Sequence, residues 1–273
     1  MNLQKNAQWK LKELVQVGED IFEGGSGIPL QLLSFAPPNS NDDSKAASVW
    51  FLSGFQGPTK NDSHISSLIQ RAMEKEVFQP VVDVYMTPVV NPQASAKGAK
   101  GTITGGVNLN SLFHSDSSLP LPLEAKCLTR WAKTLQPKLI VTLSNGLSPY
   151  IRYLNVPQDI VSRLAELSER AIYVIGTEIE DKLEDGTLIA RDNLENSFGA
   201  WCVAQGISWI DFRIDSTKKA FEDVKDADWK PAFGPAIKWL LEGFRFNPPV
   251  EEPAYELPQV IPALEMPPEF ANL

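Results

Sequence analysis

The sequence has 273 residues, of which 43% are hydrophobic and 22% are charged, and its formal net charge is −9. A chain of this length and composition can bury one large core, so we expect a single α/β domain with an appended tail. The negative charge argues against nucleic acid or an anionic membrane surface as the main partner, because either would repel the average surface.

The first residues, "MNLQKNAQWKLKELVQ", lack the apolar run and the cleavage site of a secretory signal. No later stretch approaches the ~20 apolar residues of a membrane span. The two cysteines, Cys127 and Cys202, are far apart in apolar helical patterns and are expected to be buried free thiols. These features predict a soluble protein of the cytoplasm.

The predicted elements alternate between strands and helices. Residues 22–38, "FEGGSGIPLQLLSFAPP", predict an N-terminal hairpin, because three glycines separate two apolar runs. Apolar, β-branched segments predict strands over 47–54, 81–90, 138–146, 171–179 and 207–214. Helical patterns cover 62–75, 121–135, 157–169, 193–205 and 232–244. This order predicts a mixed, mainly parallel sheet with helices on both faces.

Composition divides the chain into an α/β domain over residues 1–246 and a tail over 247–273. The tail holds seven of the 21 prolines, five glutamates and no lysine or arginine. Such a segment cannot form a regular element. Its apolar residues leave two alternatives, a strap across the domain or a motif for a partner.

Short motifs follow the predicted strands, at the sheet edge where open α/β folds bind their ligands. They are "GFQGPT" (54–59), "NPQA" (91–94), "GVNLNSLFH" (106–114), "LS" (143–144), "NSFGAW" (196–201) and "WID" (209–211). In this order and spacing they resemble the motifs of the zinc carboxypeptidase superfamily, closest to its murein-peptide amidase and succinylglutamate desuccinylase-like branches. The resemblance runs from about residue 24 to residue 246.

The resemblance implies a zinc hydrolase fold whose metal ligands are replaced in this chain. The three ligand positions, His, Glu and His in the family, are matched by Gln56, Thr59 and Ser144. A catalytic zinc needs three nitrogen, sulfur or carboxylate donors and an open position, so we expect no zinc and no other cofactor. The glutamate that serves as general base is matched by Asp211. A base without metal-bound water has little to act on.

The family's substrate-binding arginines also differ. One is matched by Ser111 and another by Lys100, which keeps the charge but not the planar fork of a guanidinium. We therefore expect a pseudoenzyme that binds a peptide-like small molecule, such as a peptidoglycan peptide, or a protein partner in the former cleft. Tyr150 and Arg152 are assigned to a loop that rims this cleft. The candidate ligand contacts are Gln56, Thr59, Lys100, Asn110, Ser111, Ser144, Tyr150 and Arg152.

The main alternative is an active metallo-carboxypeptidase, amidase or deacylase with a rearranged metal site. Its ligands would be His64, His114 and Asp116, because two imidazoles and a carboxylate complete a zinc site if the fold brings them together. A serine hydrolase is disfavoured by the lack of a Gly-x-Ser-x-Gly elbow. An interaction protein that acts through its tail is a third hypothesis.

Overall fold

A computed structural model describes most of the predicted domain. The described residues are 8–17, 27–36, 48–55, 62–75, 78–97, 109–113, 121–146, 150–167, 173–175, 197–215 and 234–242. The tail over 247–273 lies outside them. No helix in the described part of the chain is long and apolar enough to cross a bilayer.

The described residues form one sheet of eight strands. The strands are β1 (Lys10–Val17), β2 (Ile28–Phe35), β3 (Ser48–Ser53), β4 (Asp83–Thr87), β5 (Leu139–Gly146), β6 (Tyr150–Leu154), β7 (Tyr173–Ile175) and β8 (Ser208–Asp215). Their order in the sheet is β1-β2-β4-β3-β5-β8-β6-β7. Strands β4, β3, β5 and β8 are mutually parallel, whereas β2 and β6 run antiparallel to the neighbouring central strands.

Helices cover both faces of this sheet. They are α1 (Asp62–Glu74), α2 (Pro92–Lys97), α3 (Leu123–Leu135), α4 (Gln158–Leu167), α5 (Phe198–Ala204) and α6 (Gly234–Glu242), with a 3-10 turn at Leu109–Ser111. Alternate residues of β3 point into two separate cores. Val49 and Phe51 pack with α1, α4 and α6, whereas Trp50 and Leu52 pack with α3 and α5. The predicted mixed α/β sheet with helices on both faces is therefore confirmed.

The predicted antiparallel edge strands are present, but the first of them lies outside the predicted range of 22–38, and residues 18–26 lie outside the described part of the chain. Strands β1 and β2 pair antiparallel, and β1 lies at the edge of the sheet. A bulge between Leu11 and Glu13 shifts the register of the pair. Glu13 then accepts a hydrogen bond of 2.8 Å from Nε1 of Trp131 in α3, which fastens the edge strand to the helical layer.

The assignment of Tyr150 and Arg152 to a loop is wrong, because both lie in β6. Ile151 and Leu154 are buried, so two apolar residues of this short segment contribute to the two cores. The charge of Arg152 does not interrupt the strand, since a carboxylate on β8 lies directly opposite.

Candidate functional site

The loop after β3 begins at a glycine whose backbone no other residue adopts easily. Gly54 has φ +76°, and an added Cβ would lie only 3.3 Å from Cα of Val89. The amide of Asn91 donates to the carbonyl of Gly54 at 3.2 Å, and its side-chain amide donates to the carbonyl of Phe55 at 3.5 Å. The start of this loop is therefore held beside the first residues of α2.

A polar cluster lies within β5 and β8, level with the carboxyl ends of β3 and β4. Asp211 stands opposite Thr142 of β5 and opposite Arg152 of β6 in the register of the sheet. Oδ1 of Asp211 accepts hydrogen bonds from the hydroxyls of Thr142 at 2.8 Å and Ser144 at 3.4 Å. Oδ2 accepts from Nη2 of Arg152 at 3.1 Å. Strands β5 and β6 thus supply three donors to one carboxylate on β8.

The ion pair in this cluster is shielded from solvent. The side chains of Arg152 and Asp211 are 12% and 7% exposed. The guanidinium of Arg152 also lies over the ring of Trp209, 5.4 Å from the ring centroid. Trp209 packs so closely on α5 that a Cβ at Gly199 would lie 2.6 Å from Cδ2 of the indole. Helix α5 therefore holds the aromatic ring on which the guanidinium rests.

The start of α5 is fixed by two side-chain caps. The amide of Phe198 donates to Oδ1 of Asn110 at 3.1 Å, and the amide of Ala200 donates to Oγ of Ser197 at 3.1 Å. The ring of Phe198 packs against Phe55 at a centroid distance of 5.5 Å. Asn110 therefore joins the 3-10 turn to α5, next to the loop that follows β3.

Neither cysteine has the setting of a nucleophile. Cys127 of α3 and Cys202 of α5 are both buried free thiols, as the sequence predicts. Burial raises the pKa of Cys127, and it raises the pKa of Cys202 well above the ordinary range of a thiol. A neutral, buried thiol is a weak nucleophile.

The structure brings three of the predicted site residues together, namely Ser144, Arg152 and Asp211. Of the other candidates, Asn110 and Ser111 belong to the 3-10 turn, Tyr150 begins β6 and His64 lies in the first turn of α1. Five predicted residues lie outside the described part of the chain: Gln56, Thr59, Lys100, His114 and Asp116.

Sequence reasoning missed Thr142 and Trp209 as parts of the cluster. Side chains alternate between the two faces of a strand, so residues 142, 144, 209 and 211 project from one face of adjacent parallel strands. Thr142 and Trp209 each lie two residues before a predicted site residue, so the alternation of side chains could have identified both.

The residues of the cluster do not fit a zinc ion. Ser144, which the sequence motifs match to the third ligand, offers a hydroxyl that donates to Asp211, and the carboxylate already binds the guanidinium of Arg152. A neutral hydroxyl beside a bound cation is a poor zinc ligand. Nor do the described residues contain a group of three His, Cys, Asp or Glu side chains that could hold a metal ion.

No protein-family model matches the sequence, and no curated protein is significantly similar to it. Solved structures do match in fold. An aspartoacylase family protein from Mesorhizobium loti is 13% identical with a TM-score of 0.55, covering 89% of this chain and 70% of that protein. A metallo-carboxypeptidase from Burkholderia cenocepacia is 12% identical with a TM-score of 0.56, covering 86% of this chain and 63% of that protein.

The succinylglutamate desuccinylase from Chromobacterium violaceum is 14% identical with a TM-score of 0.52, covering 88% of this chain and 72% of that protein. This chain thus spans less than two thirds of the carboxypeptidase. The matches agree with the mixed sheet. The chain has the fold shared by the zinc carboxypeptidases and the related deacylases.

Proposed function

We propose that this chain is a catalytically inactive, carboxypeptidase-like protein that binds a peptide-like ligand at the carboxyl ends of its central strands. The observation that supports this proposal is that other side chains of the protein already contact the carboxylate of Asp211. Both oxygens of its carboxylate accept hydrogen bonds from protein side chains, and one of them binds the guanidinium of Arg152.

A general base must present a carboxylate oxygen to the water that it deprotonates. At Asp211, Thr142 and Ser144 contact one oxygen and Arg152 contacts the other. The residues at the matched zinc positions, Gln56, Thr59 and Ser144, do not supply the donors that would activate a water. Binding without hydrolysis is the function that this chemistry supports best.

The proposed ligand has an amide group and a free carboxylate. The names of the matching structures, a metallo-carboxypeptidase, an aspartoacylase family protein and a succinylglutamate desuccinylase, all point to such molecules. In this chain Lys100 is the candidate cation for the carboxylate, with Gln56, Thr59, Asn110, Ser111 and Tyr150 as further contacts. A protein partner that presents its own carboxyl-terminal peptide would satisfy the same chemistry.

Two measurements on the same protein sample test this proposal. The first is hydrolysis of a dipeptide, succinylglutamate and a peptidoglycan tripeptide, each with added zinc and with a chelator. The second is binding of the same probes by calorimetry. We expect no turnover under either condition and saturable binding of at least one probe. Turnover that zinc supports and the chelator abolishes would overturn the proposal.

A pair of lysine variants tests the placement of the ligand. Lys100→Ala removes the proposed cation, and Lys97→Ala in α2 removes a lysine three residues away. A charge-assisted hydrogen bond contributes about 1.5–3 kcal/mol, so Lys100→Ala should weaken binding of the carboxylate probe by about tenfold or more. Lys97→Ala should leave the affinity within about twofold. Equal losses in the two variants would contradict the placement.

A further inference from the structure

Arg152 is the resident cation of the polar cluster. Its guanidinium lies between the carboxylate of Asp211, at 3.1 Å, and the ring of Trp209, 5.4 Å from the centroid. Its backbone is fixed as well, since Arg152 stands directly opposite Asp211 in the pairing of β6 with β8. The contacts with Asp211 and Trp209, together with the pairing of β6 and β8, therefore hold the guanidinium of Arg152 in position.

A metal ion at this edge of the sheet would compete with the guanidinium. Zinc binds carboxylate oxygens at about 2.0–2.2 Å. Nη2 of Arg152 lies 3.1 Å from Oδ2 of Asp211. A zinc ion on the same oxygen would therefore lie no more than about 5.3 Å from Nη2, and two cations so close in a poorly solvated site repel each other strongly.

We infer that Arg152 excludes divalent cations from the edge formed by Ser144 and Asp211. The inference rests on the same lack of zinc donors as the proposed function. It adds a second reason for the absence of metal binding, because the side chain of Arg152 supplies the cation that pairs with the carboxylate of Asp211. Restoring a metal ligand at position 144 is then insufficient, because Arg152 still holds Asp211. Metal binding requires removal of the guanidinium charge as well.

Variants at three positions test this inference, with Co²⁺ as the probe because inner-sphere ligands change its absorption spectrum. Ser144→His supplies an imidazole beside Asp211. The double variant Ser144→His/Arg152→Met supplies the same imidazole and releases the carboxylate. All variants carry His64→Gln and His114→Gln, so the chain's two natural histidines contribute no signal. We expect the double variant to bind Co²⁺ at least tenfold more tightly than Ser144→His.

Two matched variants identify the cause. Ser144→His/Arg152→Lys retains a positive charge and should bind as weakly as Ser144→His. Adding Asp211→Asn to the double variant removes the carboxylate and should abolish the gain. Circular dichroism and thermal unfolding establish that each variant is folded. If Arg152→Met prevents folding, Arg152→Gln takes its place, because glutamine keeps hydrogen-bond donors and removes the charge.

The inference is overturned if Ser144→His with Arg152 intact binds one equivalent of Co²⁺, or if the gain survives Asp211→Asn. The first result needs no substitution at Arg152, and the second can be obtained with either Arg152→Met or Arg152→Gln. Failure of this inference is distinguishable from failure of the proposed function. Zinc-dependent turnover by the unmodified protein would contradict the proposed function, whereas metal binding by Ser144→His alone would contradict only the role of Arg152.

Discussion

Arg152 and Asp211 face each other across β6 and β8, with 3.1 Å between Nη2 and Oδ2. The pair joins an antiparallel strand to the parallel centre of the sheet at the carboxyl ends of the central strands, the edge where open α/β folds bind ligands. The sequence motifs match Asp211 to a general base, whereas in the structure its carboxylate is paired with a cation of the protein. The charge of Asp211 is therefore neutralised by a residue of the neighbouring strand.

Removing one member of this pair should be costly. Arg152→Met leaves the carboxylate of Asp211 buried without its cation, and loss of one partner of a buried pair costs about 3–5 kcal/mol. Urea denaturation measures the change in the free energy of unfolding. Arg163→Met is the matched control, because it breaks an exposed pair with Glu166 and should cost less than about 1 kcal/mol. Equal losses of unfolding free energy in the two variants would show that the buried pair stabilises the fold no more than the exposed pair does.

Gly199→Ala should destabilise the protein although alanine is the better helix former. The added Cβ would lie 2.6 Å from Cδ2 of Trp209, so the indole or α5 must shift. We expect a loss of about 1–3 kcal/mol in unfolding free energy together with altered tryptophan fluorescence. Gly206→Ala has open space around its Cβ and should cost only the penalty of its positive φ, about 1–2 kcal/mol, with unchanged fluorescence. A stabilised Gly199→Ala protein would contradict this packing.

Asn110→Ala should loosen the start of α5. The substitution removes the acceptor for the amide of Phe198, and the loss of a helix cap costs about 0.5–2 kcal/mol. Thermal or urea unfolding measures it. Asn110→Asp retains an acceptor oxygen at the same position and should recover most of the loss. If aspartate and alanine were equally destabilising, the hydrogen bond to Phe198 would not be the cause.

The two thiols should be unreactive in the folded protein. Burial raises the pKa of Cys127 and, more strongly, that of Cys202, so the thiolate fraction at a given pH is smaller than in an exposed cysteine. A disulfide reagent at pH 8 should label fewer than about 0.1 thiols per chain within minutes in buffer, and both thiols in urea. Rapid labelling of one equivalent in the native state would contradict the described burial.

The central strands were predictable because the apolar composition that buries each strand is visible in its own residues. The runs that form β3, β5 and β8 are continuously apolar apart from a few polar positions, and their observed bounds lie within about one residue of the predicted ones. The convergence of Ser144 and Asp211 was also predictable. Both lie in adjacent parallel strands, β5 and β8, and project from the same face of the sheet.

Strand β6 and the direction of Arg152 were not predictable from local pattern. The segment "YIRYL" is five residues long, contains a central arginine and follows the dipeptide Ser148-Pro149, all of which favour a loop in a prediction from sequence. What makes it a strand is pairing with β8, and the partner of its charge is 59 residues away. Local propensity carries no information about so distant a partner.

Zinc titration of untagged protein, purified without chelator and followed by calorimetry, tests the central claim most directly. The account predicts sub-stoichiometric zinc after purification and no binding at micromolar concentrations. The reasons are that the sequence motifs align Gln56, Thr59 and Ser144 with the zinc ligands, and that Arg152 already pairs with Asp211. One tightly bound zinc per chain would contradict it, and would direct mutagenesis to His64 and His114.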